Sequence, residues 1–147
     1  MKSSLGMLLQ NKGGEVHSIG PDVTVLEAVQ RMNELHIGAL LVMDSEKVVG
    51  IFTERDILGR VVAVGLDPGG IPVSKVMTSK LAVVRPETTV EEAMRICSKK
   101  RCRHLPVMEG DTLLGVISSG DLSSWITRSQ ESEIQNLIHY IAGQYPA

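Results

Sequence analysis

The chain has 147 residues, a formal net charge of -2, 43% hydrophobic residues and only 3% aromatic ones. That length suits one compact domain or two half-size units sharing a core, filled by Val, Ile, Leu and Met. Near-neutral charge without a uniformly basic face, and one Phe, one Trp and two Tyr to stack bases, argue against a nucleic-acid partner. No run of about twenty apolar residues occurs, so no membrane span is expected. Cys97 and Cys102 are too few for a secreted disulfide framework, and the reading is a soluble cytoplasmic protein.

Residues 1–15 form a leading segment in which Leu5, Leu8 and Leu9 suit one short helical turn, broken by Lys12-Gly13-Gly14. Val16 to Ile19 reads as a short extended run, turned by Gly20-Pro21-Asp22. Thr24 and Glu27 have capping-box spacing, predicting a helix that buries Val25, Ala28, Val29 and Met32. Ala39 to Met43 and Val48 to Phe52 read as two strands joined by a polar turn, with a helix beginning at Asp56. Gly65 to Pro72 is a Gly- and Pro-rich linker, and Val73 to Met77 a helical turn.

The pattern then repeats. Thr89 and Glu92 cap a helix burying Val90, Ala93, Met94 and Cys97; Leu105 to Met108 and Leu113 to Ile117 form a hairpin; a helix begins at Asp121. From Leu122 no Pro or Gly intervenes until Gly143, and Ile134, Leu137, Ile138 and Ile141 make an apolar stripe. Either its own domain or a second copy of the chain must cover that stripe.

The repetition is in register. Asp121 follows Asp56 by 65 positions, and the same spacing carries Pro21 onto Pro86, Thr24 onto Thr89, Glu27 onto Glu92, Val42 onto Val107 and Gly50 onto Gly115 without a gap. The chain is therefore two copies of one strand-helix-strand-strand-helix unit. Each half alone would be marginal, so the halves are expected to pack on each other.

Each copy ends in Gly-apolar-apolar-Thr/Ser-x-x-Asp, as Gly50-Ile51-Phe52-Thr53-Glu54-Arg55-Asp56 and Gly115-Val116-Ile117-Ser118-Ser119-Gly120-Asp121. With His36 to Val42 and Arg103-His104-Leu105-Pro106-Val107, these stretches resemble the cystathionine β-synthase (CBS) domain. The tandem resembles a Bateman module, over roughly Val16 to Ile126. The resemblance implies an α/β (α+β) fold of two pseudo-symmetric repeats: residues 16–64 as repeat 1, 65–80 as linker and short helix, 81–126 as repeat 2 and 127–147 as a C-terminal helix. It also implies a non-catalytic sensor that needs no cofactor. Its ligands would be adenosine compounds such as AMP, ADP, ATP, NAD(H) or S-adenosylmethionine, held in clefts between the repeats of a homodimer. The downstream effector is not written in the chain.

The motif residues suit that chemistry independently. A carboxylate accepts two hydrogen bonds well, so Asp56 and Asp121 match the adjacent hydroxyls of a ribose. Thr53 and Ser118 suit a ribose or phosphate oxygen, at helix starts that favour an anion. The resemblance implies the same roles, with Gly120 inside the second motif. Thr-x-x-Asp and Ser-x-x-Asp are equally capping-box spacings, in which each aspartate turns back on its own backbone.

Lys99 to His104 is the one dense basic run. Arg103 and His104 are expected at the mouth of a buried strand, positioned for a phosphate, while Arg101 is balanced between ligand contact and a solvated helix end. Gly38 and Ala39 hold the corresponding places in repeat 1 and carry no charge, so the two clefts should differ. The family's geometry adds His17, Ala39, Thr78 and the Leu105-Pro106 backbone, and Arg55 stands between phosphate ligand and surface ion pair.

Rival sites are poorer. Cys97, Cys102 and His104 offer three metal-capable groups beside Arg and Lys that oppose a cation, so no metal is expected. His36 and His139 read as surface or interface residues. With no paired nucleophile and base in a recognisable motif, and no Walker-type loop, an enzyme is not expected. Two alternatives stay open: a structural homodimerisation module whose motifs are only helix caps, and a small enzyme using His104 or a cysteine.

Overall fold

The computed structural model describes residues 3–13 and 15–142; Gly14 and the 143–147 end of the expected C-terminal segment lie outside the described residues. The elements are α1 (Leu5–Lys12), β1 (Ser18–Ile19), α2 (Val25–Leu35), β2 (Ala39–Asp44), β3 (Lys47–Thr53), α3 (Glu54–Asp56), α4 (Val90–Lys100), β4 (His104–Glu109), β5 (Thr112–Ser118) and α5 (Ser119–Ile141). The repeat is visible in the register. Ala39 pairs with Thr53 and Val42 with Gly50, as His104 pairs with Ser118 and Val107 with Gly115. Both hairpins shift register at the same step, after Val42 and after Val107.

The copies differ in detail. β1 runs parallel to β2, but its counterpart in repeat 2 shrinks to a single bridge between Val84 and Val107. The helix after β3 widens into a π-helix at Ile57–Val62, whereas α5 runs regularly for 23 residues. Residues Val73–Lys75 form a 3-10 turn. Thr24 and Thr89 each accept the amide three residues on, at 3.2 Å, but no reciprocal bond closes either box among the described residues. Met94, expected in the buried stripe of α4, is exposed, while Val90, Ala93 and Cys97 are buried.

Each repeat is completed by a segment that precedes the other. Leu5, Leu8 and Leu9 of α1 sit in the core of repeat 2 with Val90, Leu105 and Ile117. The Leu5 amide donates to Thr88 O at 2.8 Å and that of Val90 to Ser3 O at 2.9 Å. Conversely, Val73 and Val76 enter the core of repeat 1 with Val25, Leu40 and Phe52, and Val73 N–H donates to Val23 O at 2.8 Å. The leading segment and linker are thus structural parts of the repeats, and the exchange supplies apolar area that a half-size unit lacks. Among the described residues no helix is long and apolar enough to cross a membrane.

Candidate functional site

Both aspartates end a strand-to-helix turn and close a reciprocal capping box. Thr53 N–H donates to Asp56 Oδ2 at 3.0 Å and Asp56 N–H to Thr53 Oγ1 at 3.3 Å; the Ser118–Asp121 pair does the same at 2.8 and 3.0 Å. The capping alternative is therefore real in both copies. It does not use both aspartates up equally.

Asp56 is fully engaged. Its Oδ2 also accepts Thr53 Oγ1 at 3.2 Å, its Oδ1 accepts Thr78 Oγ1 at 3.0 Å, and Arg60 Nε lies 3.7 Å away. The side chain is only 7% exposed. Asp121 is 25% exposed, and its Oδ2 accepts Lys12 Nζ at 2.7 Å while its Oδ1 accepts nothing among the described residues. The Ser118 hydroxyl accepts the Asp121 amide at 3.0 Å, and its side chain also helps to stabilise the Asp121 carboxylate.

Asp121 borders a cleft of about 230 Å³ whose walls come from both repeats. His17, Ile37, Gly38, Ala39 and Ile51 form the repeat 1 side; His104, Val116, Ser118 and Asp121 form the repeat 2 side; Lys12 and Glu15 stand at the α1 end. Parallel pairing of β1 with β2 brings His17 beside Leu41, since Leu41 N–H donates to His17 O at 3.1 Å. The left-handed C-cap Arg101, at φ 52°, turns the chain from α4 into β4 and so brings His104 to the opposite wall.

Charge in the cleft is mixed, with Lys12 set among the carboxylates of Glu15 and Asp121. Burial alone would raise the Asp121 carboxyl, but Lys12 and the Ser118 amide outweigh it and hold the group below the usual carboxylate range. Burial, then the neighbouring Lys12, pushes the His104 imidazole down, with Asp121 opposing. His104 is thus neutral at pH 7, able to donate from one nitrogen and accept at the other.

Of the residues singled out from sequence, the structure brings His17, Ala39, His104, Ser118 and Asp121 together. Thr53, Asp56 and Thr78 form the separate closed network. Arg55, Arg101 and Arg103 are exposed, and Gly120 sits exposed in the first turn of α5. Leu105 is buried and paired with Ile117, and the Pro106 carbonyl accepts Val84 N–H at 3.0 Å, so neither lines the cleft. Cys97 and Cys102 are free thiols; burial, then adjacent Cys102, pushes the Cys97 thiol up to about 11. No group of three His, Cys, Asp or Glu able to hold a metal ion occurs among the described residues.

Sequence reasoning missed Lys12 and Glu15. The 65-residue register sets Lys12 against Met77, an apolar residue, so the duplication carried no signal for it.

Comparison with known proteins agrees with this architecture. The family model described as the CBS domain matches residues 13–63 and 73–128. The chain is 36% identical over 129 residues to the CBS domain-containing protein CBSX3, mitochondrial, of Arabidopsis thaliana, covering 84% of this chain and 63% of that protein. It is 32% identical over 127 residues to the CBS domain-containing protein YhcV of Bacillus subtilis (strain 168), covering 85% and 90%. The crystal structure of the CBS domain NE2398 superposes with a TM-score of 0.82 at 38% identity, covering 86% of this chain and 99% of that one. Two matched units in register, folded as in a solved relative, leave one assignment: the chain belongs to the CBS-domain family as a tandem pair, a family whose members are typically regulatory modules.

Proposed function

We propose that the chain is a non-catalytic sensor that binds one adenine nucleotide per chain, AMP first among the candidates, in the cleft at Asp121. The observation that supports this most directly is the open carboxylate oxygen on the cleft wall, Asp121 Oδ1, which accepts nothing among the described residues. A free carboxylate oxygen suits a ribose hydroxyl, and the start of α5 favours a phosphate. Gly38 and Ala39 let a flat base approach the backbone of β2. A cleft of about 230 Å³ suits a single nucleoside better than a dinucleotide such as NAD. Asp56 has no such role here, because its oxygens are already taken.

A ligand bridging both repeats changes the balance between their arrangements only if it binds those arrangements unequally, and that difference is the signal. The apolar stripe of α5 carries the signal onward as a homodimer contact. Isothermal titration and thermal unfolding with AMP, ADP, ATP, NAD, NADH and S-adenosylmethionine test the reading. A ligand at about 100 times its Kd stabilises by roughly 2.7 kcal/mol. That raises Tm by about 5 to 11 degrees for a chain of this size. A second reading, a dimerisation module without ligand, draws on the two closed capping boxes; it wins if none of these compounds shifts Tm. Turnover of any of them would establish an enzyme instead.

A further inference from the structure

The N-terminal helix delivers a cation into the cleft. Leu5, Leu8 and Leu9 anchor α1 in the repeat 2 core, and Lys12, its last residue, points Nζ at Asp121 Oδ2, 2.7 Å away, and at Val116 O, 2.8 Å away. Asp121 Oδ2 also accepts Ser118 N–H, so only Oδ1 is open. A ribose diol that engages the carboxylate through both hydroxyls must therefore displace the ammonium. An ammonium moved off its carboxylate in a half-buried cleft needs another anion.

We propose that Lys12 determines specificity in this cleft, exchanging Asp121 for the phosphate of a bound nucleotide and so selecting phosphorylated ligands over nucleosides. The inference rests on the nucleotide reading above. A nucleoside removes the Lys12–Asp121 ion pair and offers the ammonium nothing in return. A nucleoside monophosphate brings the replacement anion with it. Repeat 1 is built differently: Asp56 Oδ1 accepts the uncharged Thr78 hydroxyl at 3.0 Å, and the cation beside it, Arg60, stands 3.7 Å off and donates instead to the Val76 and Met77 carbonyls.

The test compares AMP with adenosine by isothermal titration on the wild-type chain, Lys12→Met and Lys12→Arg, with circular dichroism confirming that each variant folds. Lys12→Met keeps most of the stem and removes the charge. It is expected to bind adenosine at least as well as the wild type and AMP more weakly, so that the AMP-to-adenosine affinity ratio falls by about tenfold to a hundredfold. Lys12→Arg is expected to keep most of the ratio. If AMP binds the wild type and Lys12→Met leaves the ratio unchanged, or weakens both ligands equally, the role assigned to Lys12 is wrong while nucleotide binding stands. If neither AMP nor adenosine binds the wild type, the nucleotide reading itself fails and this inference with it.

Discussion

Asp56 and Asp121 accept the amides of Thr53 and Ser118 in the same way, but the second oxygen of Asp56 is held by Thr78 Oγ1 at 3.0 Å, whereas that of Asp121 is open among the described residues. One duplicated carboxylate has thus become a structural knot and the other has kept a free face toward the cleft. Asp56→Ala would leave the Thr53 amide and the Thr78 hydroxyl without their partner in a partly buried setting. A loss of about 1 to 3 kcal/mol is expected, with the rise in Tm on adding AMP retained. Asp121→Ala is expected to cost only about 1 kcal/mol as a lost cap and to abolish that rise. Urea unfolding without ligand and thermal melts with AMP separate the two effects. Equal loss of protection in both variants would contradict the assignment of Asp56.

His104 gives a pH signature. Burial and Lys12 hold its folded-state pKa below the ordinary value of about 6.5, so the unfolded chain binds a proton first as pH falls. The stability difference between wild type and His104→Gln should therefore be constant above about pH 7. It should shift against the wild type as pH drops through about 6.5 toward the lower folded value. Urea midpoints measured between pH 8 and 5 check the sign. A wild type that gained stability relative to the variant over that window would mean that His104 is held charged in the fold.

The duplication made the architecture legible, because Gly50, Gly115 and the two aspartates sit at the same register and the hairpins carry clear strand patterns. The site was legible only in part. Thr-x-x-Asp spacing marks both a cap and a diol ligand, and only the state of the outer oxygen, taken by Thr78 in Asp56 and open among the described residues in Asp121, tells them apart. Lys12 was hidden for a geometric reason. Leu9 lies over Gly115 as Met77 lies over Gly50, yet their sequence spacing departs from the 65-residue register that holds after Pro21. Leu9 to Pro21 is thus three residues longer than Met77 to Pro86, which takes Lys12 out of the 65-residue register and sets it on Lys80 instead. The exchange of α1 and Val73–Lys75 between repeats was equally hidden, since sequence order places each beside the wrong core.

Those glycines make a further prediction. A Cβ at Gly50 would lie 3.0 Å from the Thr78 carbonyl oxygen, in the strand edge where Ile51 N–H donates to that same oxygen. A Cβ at Gly115 would lie 2.8 Å from Leu9 Cδ2, the end of a side chain that can rotate away. Backbone cannot yield so easily. Gly50→Ala should lower stability by roughly 1 to 3 kcal/mol and Gly115→Ala by clearly less, as read from chemical unfolding midpoints. Gly50→Ala also pushes on Thr78 and through it on Asp56, so its loss should be less than additive with that of Asp56→Ala. Additive losses would show that the two positions do not communicate.

The stripe on α5 is the remaining unburied apolar surface of note. Ile134 is 54% exposed, Leu137 61%, Ile138 51% and Ile141 82% in the single chain, so its own domain does not cover it. Four such residues on successive turns of one helix form a seam that water penalises and a second copy of the same helix can fill. Leu58 and Val62 of repeat 1 are likewise exposed, at 66% and 63%. The wild-type chain is expected to run as a homodimer in size-exclusion chromatography with light scattering, with Tm rising with protein concentration. Leu137→Glu combined with Ile138→Glu places charges in the seam, and should give a monomer that still binds one AMP per chain, because the Asp121 cleft is built within a single chain. A wild type that stays monomeric at every concentration would exclude this seam as a dimer contact, and a monomeric variant that lost AMP binding would mean the cleft needs its neighbour.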